Sequence, residues 1–434
     1  MYASPGLLSN PSGTIVVDAM GFVRFLTFLP VFAVATFAQA TDLNVYQITH
    51  GPQHHFYGYI GHVGNTPWSG DGRYMVMLRT SFQDRMPEPG EPADIVLLDT
   101  HNDYRVEKVG ETRAWNFQQG TMLYWNPDAP NTQFFFNDRD PDSHAVFCGL
   151  YDITKRERIR EYRFDDVHVG NSGVAQKGGT FLAINYGRLG RLRPVTGYPG
   201  ALDTTVGEKH PSNDGVFKVD VATGVRTLLI SYHQLADEMR AIYPQVADMG
   251  LFINHSLWSR KNDQVLCYVR GGWDRSGTRE TRIDVPFTMN SDGKNLHLPL
   301  KHFGGHPEWA PGGLIIGSID GRQVLFDPKV NTVASTIGTR ESIPRPGDDV
   351  ALSPDGRWLA NGHRHEGRDR YTLIELESGR YIHSPLFDYE PYRSGVLRID
   401  PAPCWNRDGT AIAIPALAPD GTRQTFVTKL LPPG

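Results

Sequence analysis

Three arginine residues lie close together in one glycine-containing stretch of the sequence. They are Arg188, Arg191 and Arg193, and Tyr186 and Tyr198 stand on either side of them. A guanidinium group can bind a carboxylate or a sulfate through two parallel hydrogen bonds, so three such groups in one loop form a candidate site for an acidic ligand. The alternative is that all three are ordinary solvated side chains.

A second set of residues has the side-chain types that bind metal ions. Imidazole, carboxylate and thiolate groups suit Zn²⁺, and imidazole and carboxylate groups also suit Mn²⁺ or, in part, Ca²⁺. The candidate ligands are His306, Asp349, Asp400 and Cys404. No local spacing motif joins them, so an equal alternative is that they cap turns and satisfy backbone groups. We expect at most one divalent ion, in a structural role, and no organic cofactor.

A third set combines His, Gln, Asn and Arg with aromatic residues in the first third of the chain. Hydroxyl groups need planar donors and acceptors, and sugar rings need aromatic faces, so this composition favours a polar, sugar-like ligand. The alternative is that the adjacent histidines hydrogen-bond neighbouring parts of the fold. The candidate residues are His54, His55, His62, Gln118, Gln119, Asn137 and Arg139.

A repeated turn must position these groups. Seven times, an aromatic or apolar anchor residue precedes a turn rich in Asp, Asn and Gly and then a short apolar strand. The anchors are Trp68, Trp125, Ala175, Trp258, Trp309, Leu352 and Trp405. A second hairpin follows each anchor, so each repeat makes a four-stranded antiparallel blade. The sequence therefore predicts an all-β fold, a seven-bladed β-propeller, with a pair of β-sandwiches as the alternative.

The repeat also predicts which residues meet, because residues at the same offset in each blade lie around the central channel. The offset three positions before the anchor carries two histidines and one aspartate on three consecutive blades. The seven residues at this offset are Asn65, Met122, Ser172, His255, His306, Asp349 and Ala402. This pattern predicts a polar centre in the channel.

The chain ends and the longest loop complete the predicted ring. Only about one hairpin follows the seventh anchor, so a strand at 43–49 is expected to complete the last blade and to seal the ring by pairing the N- and C-terminal strands. The stretch between the third and fourth anchors, which holds the arginine triplet, is expected to be a loop over one end of the ring. The segment 234–247 after it is the only predicted helix.

Targeting and charge limit the class of protein. Residues 20–40 have a positive start, a short apolar core and a small-x-small end, which is typical of a secretory signal peptide and too short for a membrane span. We expect a signal-peptide region over 1–40, with translation starting at Met20, and a secreted or periplasmic propeller over 41–434. The net charge of −5, with both signs interspersed, gives no basic field for nucleic acid. Three widely spaced cysteines form no disulfide framework. Separately, we expect the protein to be a monomer.

Six segments together resemble the secreted seven-bladed polysaccharide lyases, which are the ulvan lyases and, more remotely, the oligogalacturonate lyases. The segments are HHFYGY (54–59), WNFQQG (115–120), NDR (137–139), RLGRLRP (188–194), HPEW (306–309) and RIDPAPCW (398–405). The resemblance runs over nearly all of the mature chain. It implies β-elimination at a uronic acid of an anionic polysaccharide. That reaction needs a cation or strong donor at the C6 carboxylate, a base for the C5 proton and an acid for the leaving O4.

The resemblance to oligogalacturonate lyases also implies roles for two histidines. His255 corresponds to the position of their base, and His306 to that of a metal-binding histidine. The remainder of their metal pattern, Gln-x-x-His-Pro-His, is not kept, because the corresponding residues 397–402 read LRIDPA. An arrangement like that of the ulvan lyases fits the sequence better.

In the ulvan-lyase-like arrangement, Tyr186 is the acid or base and Arg188 or Arg191 neutralises the carboxylate, with Arg193 and Tyr198 at the sugar. The ulvan lyases place histidines in the second blade, where this chain has Gln and Asn. The resulting hypothesis is a secreted lyase that cleaves an ulvan-like, uronate-containing anionic polysaccharide. The alternative is a non-catalytic propeller that binds a glycan or a protein. A hydrolase ranks last, because the sequence shows no evident pair of facing carboxylates.

Overall fold

A computed structural model of the chain describes residues 43–58, 64–274, 278, 280–298 and 300–430. These residues form seven antiparallel sheets, of which six have four strands and one has three. The sheets follow one another along the chain, and the first strands of the third to seventh sheets contact one another in succession. The predicted seven-bladed β-propeller is therefore confirmed. The predicted signal peptide at 1–40 lies outside the described residues, and so does His62.

The first strand along the chain, β1 (Val45–Gln47), belongs to the last blade. Blades one to three are formed by β2 (His54–Phe56), β3 (Tyr74–Thr80), β4 (Ala93–Asp99) and β5 (Arg105–Thr112); β6 (Tyr124–Trp125), β7 (Gln133–Arg139), β8 (Val146–Asp152) and β9 (Glu157–Tyr162); and β10 (Gly170–Val174), β11 (Thr180–Ile184), β12 (Gly215–Asp220) and β13 (Arg226–Ser231).

Blade four has three strands among the described residues, whereas the repeat predicts four. Blades four to seven are formed by β14 (Leu251–Trp258), β15 (Gln264–Gly271) and β16 (Ile283–Asn290); β17 (Gly304–Trp309), β18 (Ile315–Ile319), β19 (Arg322–Asp327) and β20 (Thr332–Thr336); β21 (Asp349–Leu352), β22 (Trp358–His365), β23 (Arg368–Glu375) and β24 (Tyr381–His383); and β25 (Cys404–Trp405), β26 (Ala411–Leu417) and β27 (Arg423–Lys429), with β1 outermost.

The anchor tryptophans hold neighbouring blades together. The indole Nε1 of Trp125 donates to the carbonyl oxygen of Pro67 at 2.7 Å, and that of Trp309 donates to Leu257 at 3.0 Å. Trp405 donates in the same way to Ala351 at 2.9 Å. In each case the acceptor is the residue just before the anchor of the preceding blade. A buried indole needs such a partner, so the repeated tryptophan both fills the core and fixes the spacing between blades.

The two ends of the chain close the ring. Strand β1 pairs antiparallel with β27, with Val45 opposite Thr428 and Gln47 opposite Phe426. The amide of Leu43 also donates to the carbonyl of His383 in blade six at 2.8 Å. This pairing confirms the predicted closure by the terminal strands and leaves that edge of the sheet covered.

The long insertion between β11 and β12 contains a helix that the sequence pattern did not predict. This helix, α1 (Tyr186–Leu192), begins after Asn185, whose side chain accepts from the amide of Arg188. Gly187 and Gly190 lower the helix propensity of the segment, but they let it pack directly on other backbone. A Cβ on Gly187 would lie 2.1 Å from the carbonyl oxygen of Leu202, so only glycine fits there.

The predicted helix at 234–247 is shorter than expected. Helix α2 (Tyr232–Met239) has a capping box between Ser231 and Gln234, and a separate 3-10 helix (Pro244–Asp248) follows it. Proline cannot continue an α-helix, which explains why the two segments are separate. One further 3-10 helix lies at Pro311–Gly313. In the part of the chain that is described, no helix has the length and apolar character needed to cross a membrane.

Candidate active site at one end of the channel

A cavity of about 490 Å³ lies near the starts of the innermost strands, at one end of the channel. Its walls come from the innermost segments of several blades and from the insertion after β11. The lining residues are Gly58, Phe117, Gln118, Gln119, Arg193, Thr196, Asn254, His255, His306, Arg398, Asp400, Ala402, Pro415 and Arg423. Imidazole, guanidinium, amide and carboxylate groups therefore converge on one space, as the offset pattern predicted for the channel.

A β-bulge places His255 in this cavity. The pairing of β14 with β15 shifts register between Asn254 and Ser256, so His255 is the extra residue, and its backbone has φ +60°. Bulges of this kind re-aim a side chain, and a positive φ at a residue other than glycine is strained backbone of the type found at functional sites. Strand β10 has a comparable shift around Ser172, at the same offset before its anchor.

Asn254 links His255 to two arginines. One end of its side-chain amide lies 2.6 Å from Arg270 Nη1, 3.0 Å from Arg193 Nη1 and 3.1 Å from His255 Nε2. These are three donors, so the amide oxygen belongs at this end. In the neutral form of His255, the hydrogen bond places the proton on Nε2 and the lone pair on Nδ1. The hydrogen bond therefore fixes the tautomer of the neutral His255 ring.

His306 has the opposite character because of Asp349. Nδ1 of His306 lies 2.5 Å from Oδ1 of Asp349, whose side chain is 6% exposed. Burial lowers the pKa of His306, but the charge and hydrogen bond of Asp349, together with the charge of Asp400, outweigh burial and raise the pKa above its ordinary value. The two imidazole rings lie 5.6 Å apart between centroids. A base and a proton donor therefore face the same space.

Four guanidinium groups surround the two histidines. Burial, followed by the charges of Arg270 and Arg398, lowers the pKa of Arg193 to about 9. Arg423 is 4% exposed and donates to the carbonyl of Phe117 at 2.8 Å, and burial lowers its pKa to about 10. Each lowered pKa reflects the cost of holding a charged guanidinium away from water.

Two carboxylates partly balance the four guanidinium groups. Arg270 Nε lies 2.7 Å from Asp284, and Arg398 Nε donates to Asp400 at 2.8 Å. With His306 and Asp349 forming a pair of their own, two positive charges remain in excess. A cavity with this excess is suited to an anion, which would restore the balance.

The other two members of the arginine triplet do not reach the cavity. Arg188 is fully buried and donates to the carbonyls of Leu251 at 2.6 Å, Glu208 at 3.0 Å and Lys209 at 2.6 Å. Arg191 forms an ion pair with Asp203 at 2.8 Å, beside a separate cleft. The roles expected for both residues at a substrate carboxylate do not agree with these positions, because their donors are already used within the insertion.

Tyr186 is also placed away from the cavity. Its ring is fully buried and stacks on that of Tyr198 at 4.4 Å, and its hydroxyl donates to the carbonyl of Asn171 at 3.0 Å. Burial raises the pKa of Tyr186 well above its ordinary value. The hydroxyl of Tyr198 accepts from Asn137 at 2.9 Å. We therefore revise the expected acid or base role of Tyr186, since a buried, hydrogen-bonded phenol cannot touch a substrate.

The two adjacent histidines of blade one hydrogen-bond a neighbouring blade, which was the alternative to a role in sugar binding. His54 Nδ1 accepts from the amide of Arg423 at 3.0 Å, and His55 Nδ1 lies 3.0 Å from Oε1 of Gln424. Burial lowers the pKa of both rings, that of His55 to about 4, so both are neutral. They join blade one to blade seven beneath the cavity.

The other predicted sugar-binding residues divide between the wall and its support. Gln118 and Gln119 line the cavity, and Gln118 Nε2 donates to the carbonyl of Arg398 at 2.6 Å. Arg139 Nη1 donates to the carbonyl of Pro199 at 2.6 Å, which fixes the insertion above blade two. Among the described residues of this set, only the two glutamines line the cavity.

The predicted metal ligands do not form one set. His306 pairs with Asp349, Asp400 pairs with Arg398, and Cys404 lines a different cavity, where its Sγ lies 3.3 Å from the carbonyl of Asn65. Burial raises the pKa of the Cys404 thiol. Within the described ranges, no group of three or more His, Cys, Asp or Glu side chains is arranged to hold a metal ion.

The sequence patterns did not identify Asn254, Arg270 and Arg423 as site residues. Arg398 was identified only as part of a motif. Asn254 adjoins His255, so the channel offset could have found it. Arg270 and Arg423 lie on second and third strands of their blades. No local pattern separates them from the other arginines of the chain.

Comparison with known proteins leaves the family open. No family model matches the sequence, and no curated protein matches it. Among solved structures, oligogalacturonate lyase from Vibrio parahaemolyticus is similar, with a TM-score of 0.57 and 12% identity over 91% of this chain and 98% of that one. The β-propeller domain of Cps50 (Swd1) from Myceliophteria thermophila has a TM-score of 0.47 and 13% identity over 87% of this chain and 100% of that one. TolB from Acinetobacter baumannii has a TM-score of 0.37 and 10% identity over 73% of this chain and 63% of that one.

At these identities the comparisons establish a shared fold and nothing about activity. The expected likeness to oligogalacturonate lyases is confirmed at the level of the propeller, and the expected likeness to ulvan lyases is not confirmed. The chain is thus a seven-bladed β-propeller similar in fold to an oligogalacturonate lyase.

Proposed function

We propose that the cavity binds the carboxylate of a uronic acid residue in an anionic polysaccharide or oligosaccharide, and that it cleaves the adjacent glycosidic bond by β-elimination. One observation carries the proposal: an excess of buried guanidinium charge surrounds two imidazoles of opposite character. The reaction requires these three functions, namely charge neutralisation, a base and an acid. The likeness in fold to an oligogalacturonate lyase is compatible with it.

Charge neutralisation comes from the guanidinium groups. With the C6 carboxylate among Arg193, Arg398 and Arg423, the negative charge that develops on abstraction of the C5 proton is stabilised. Preorganised donors in a buried site are worth more than the same donors in water, because they need no reorganisation during the reaction. Bidentate geometry between guanidinium and carboxylate also orients the sugar ring.

Proton transfer is assigned to the two histidines. His255, whose side chain lines the cavity, removes the C5 proton, and the electron pair of that C–H bond forms the C4=C5 double bond. The C4–O4 bond breaks, and His306, kept protonated by Asp349, gives its proton to O4. One product ends in a 4,5-unsaturated uronate, the other carries the released hydroxyl, and no water is consumed.

Formation of the unsaturated product tests the proposal directly, because the conjugated C4=C5 bond absorbs in the ultraviolet. The purified chain is incubated with ulvan, pectate, alginate and glycosaminoglycans, and with oligosaccharides prepared from each. A rise in absorbance with at least one substrate, lost in a His255→Gln variant, is the expected result. If one of these glycans binds and no absorbance develops, the protein is a non-catalytic glycan-binding propeller. If none binds, the assignment of the cavity to uronates is wrong.

A further inference from the structure

A second cavity, of about 670 Å³ and partly open to solvent, lies at the opposite end of the channel. Strand β17 shows the relation between the two cavities: His306 lines the first, and Glu308, two residues further along, lines the second. In the same way, Ala402 lines the first cavity and Cys404 lines the second. The innermost strands run along the channel and advance about 3.3 Å per residue, so each blade supplies different residues to its two ends.

Two residues that line this second cavity carry buried hydrogen-bond donors without a partner among the described residues. Asn65 is 6% exposed, and its Nδ2 has no hydrogen-bond partner among the described residues, while its Oδ1 accepts from Gln176 at 2.5 Å. Arg407 is half-buried, its Nε is buried without a partner, and it forms no ion pair with a described carboxylate. Burial lowers the pKa of Arg407, against a smaller opposing effect of Cys404.

Two acceptors of the same wall, the Glu308 carboxyl group and the Asn65 carbonyl, already have neighbouring partners. Oε2 of Glu308 accepts from the amide of Leu352 at 2.7 Å, and Oε1 lies 3.7 Å from Nη2 of Arg260. The Sγ of Cys404 lies 3.3 Å from the carbonyl of Asn65, so this carbonyl is engaged as well. The wall therefore offers an amide donor and a cation, which suit a ligand that brings acceptors and negative charge.

We propose that this second cavity binds a small oxyanion, a carboxylate, sulfate or phosphate group, between the side-chain amide of Asn65 and the guanidinium of Arg407. The site is separate from the cavity assigned to uronates, and it does not depend on the lyase activity.

Glu308 makes the proposed site sensitive to pH. Burial raises the pKa of its carboxyl group to about 7, against the opposing effects of Arg260 and the Leu352 amide. The titratable and charged groups near this carboxyl are Arg260, from the turn after β14, and Cys404 of β25, and Arg407 lines the same cavity. A bound anion repels the charged carboxylate and so favours its protonated form. Affinity for the anion is therefore expected to increase as pH falls through about 7.

Titration calorimetry with sulfate, phosphate, acetate and glucuronate tests this proposal at constant ionic strength, on the full chain. The variant Arg193→Gln serves as background, because it weakens anion binding in the first cavity. At least one of the four anions is expected to saturate one site. In that background, Arg407→Gln is expected to weaken its binding by about tenfold or more, the loss of one charge-assisted hydrogen bond. Which of the four binds best distinguishes a carboxylate ligand from a sulfate or phosphate ligand.

Glu308→Gln provides the matched opposite change, because it removes the negative charge and keeps an acceptor for the Leu352 amide. It is expected to tighten anion binding at pH 8 and to abolish the pH dependence. Thermal unfolding of each variant checks that it folds, and Arg407→Lys replaces Arg407→Gln if the latter does not. Absence of saturable binding, unchanged affinity in a folded Arg407 variant, or weaker binding in Glu308→Gln would each overturn the proposal.

Discussion

Replacement of Asp349 by asparagine removes the charge that keeps His306 protonated. The carboxylate lies 2.5 Å from His306 Nδ1, and its side chain is 6% exposed, so solvent screens the interaction little. A hydrogen bond to a charged group contributes about 1.5–3 kcal/mol. Loss of that contribution lowers the equilibrium constant for protonation of His306 by about tenfold to a hundredfold, since 1.36 kcal/mol corresponds to a factor of ten.

The sign of the pH dependence follows from the role of His306 as proton donor. Its folded pKa is raised, so the acid form persists to higher pH in the wild type, and activity falls as pH increases through that pKa. In Asp349→Asn, the alkaline limb of kcat/KM against pH is expected to move to lower pH. The ion pair also stabilises the fold at pH values below the ordinary pKa of histidine, and this contribution fades as pH increases through the raised pKa.

Initial rates of unsaturated product formation across pH 5 to 9, measured by ultraviolet absorbance on the best substrate of the panel, provide the assay. His365→Gln is a suitable control, because His365 is a half-buried histidine of blade six that does not line the cavity. Its profile should match that of the wild type. An alkaline limb that stays in place in a folded Asp349→Asn variant would refute the assignment of His306 as the acid.

Three further substitutions separate catalysis, binding and support. His255→Gln is expected to lower kcat by about 10²–10⁴-fold while changing uronate affinity little, as measured by calorimetry; retained turnover would exclude His255 as the base. Arg193→Gln is expected to lower kcat/KM by about tenfold to a hundredfold, whereas Arg191→Gln, which loses an ion pair outside the cavity, should leave it unchanged; equal losses in both would argue against the cavity. Tyr186→Phe is expected to cost about 1 kcal/mol of unfolding free energy, through loss of its bond to Asn171, with full activity per folded molecule; inactivity without loss of stability would restore Tyr186 as a catalytic candidate.

The propeller and the location of its centre could be predicted because both depend on periodicity. The anchors recur in sequence, and the indole bonds between blades show why, since Trp125, Trp309 and Trp405 each donate to the carbonyl that precedes the anchor of the preceding blade. The same periodicity placed His255, His306 and Asp349 at the channel without any knowledge of the loops.

The roles of the residues in the insertion could not be predicted in the same way. Spacing alone grouped Arg188, Arg191 and Arg193, but their side chains point in three directions. Arg188 is buried in the protein, Arg191 forms a surface ion pair, and Arg193, just after α1, lines the cavity. The helix forms despite two glycines because they allow close packing on distant backbone, and propensity does not register such contacts.

The position of a residue along the channel axis also could not be predicted from the sequence pattern. Cys404 stands two residues after Ala402 and was expected to join His306 in one ligand set. Two residues of strand span about 6.6 Å, which is enough to move the thiol from the first cavity to the second. Arg423 lines the first cavity from a third strand, and Arg270 lies 2.6 Å from Asn254 on a second strand, so an offset counted along the innermost strands could not include them.

The chemistry of bond cleavage is the most direct test of the account. Digestion of a uronate-containing glycan in water enriched in heavy oxygen, followed by mass spectrometry of the products, distinguishes elimination from hydrolysis. For β-elimination, we expect that the product masses sum to that of the substrate and that one product carries the unsaturated uronate. No heavy oxygen should enter at the broken bond. Products that have gained one labelled water per cleavage would contradict it.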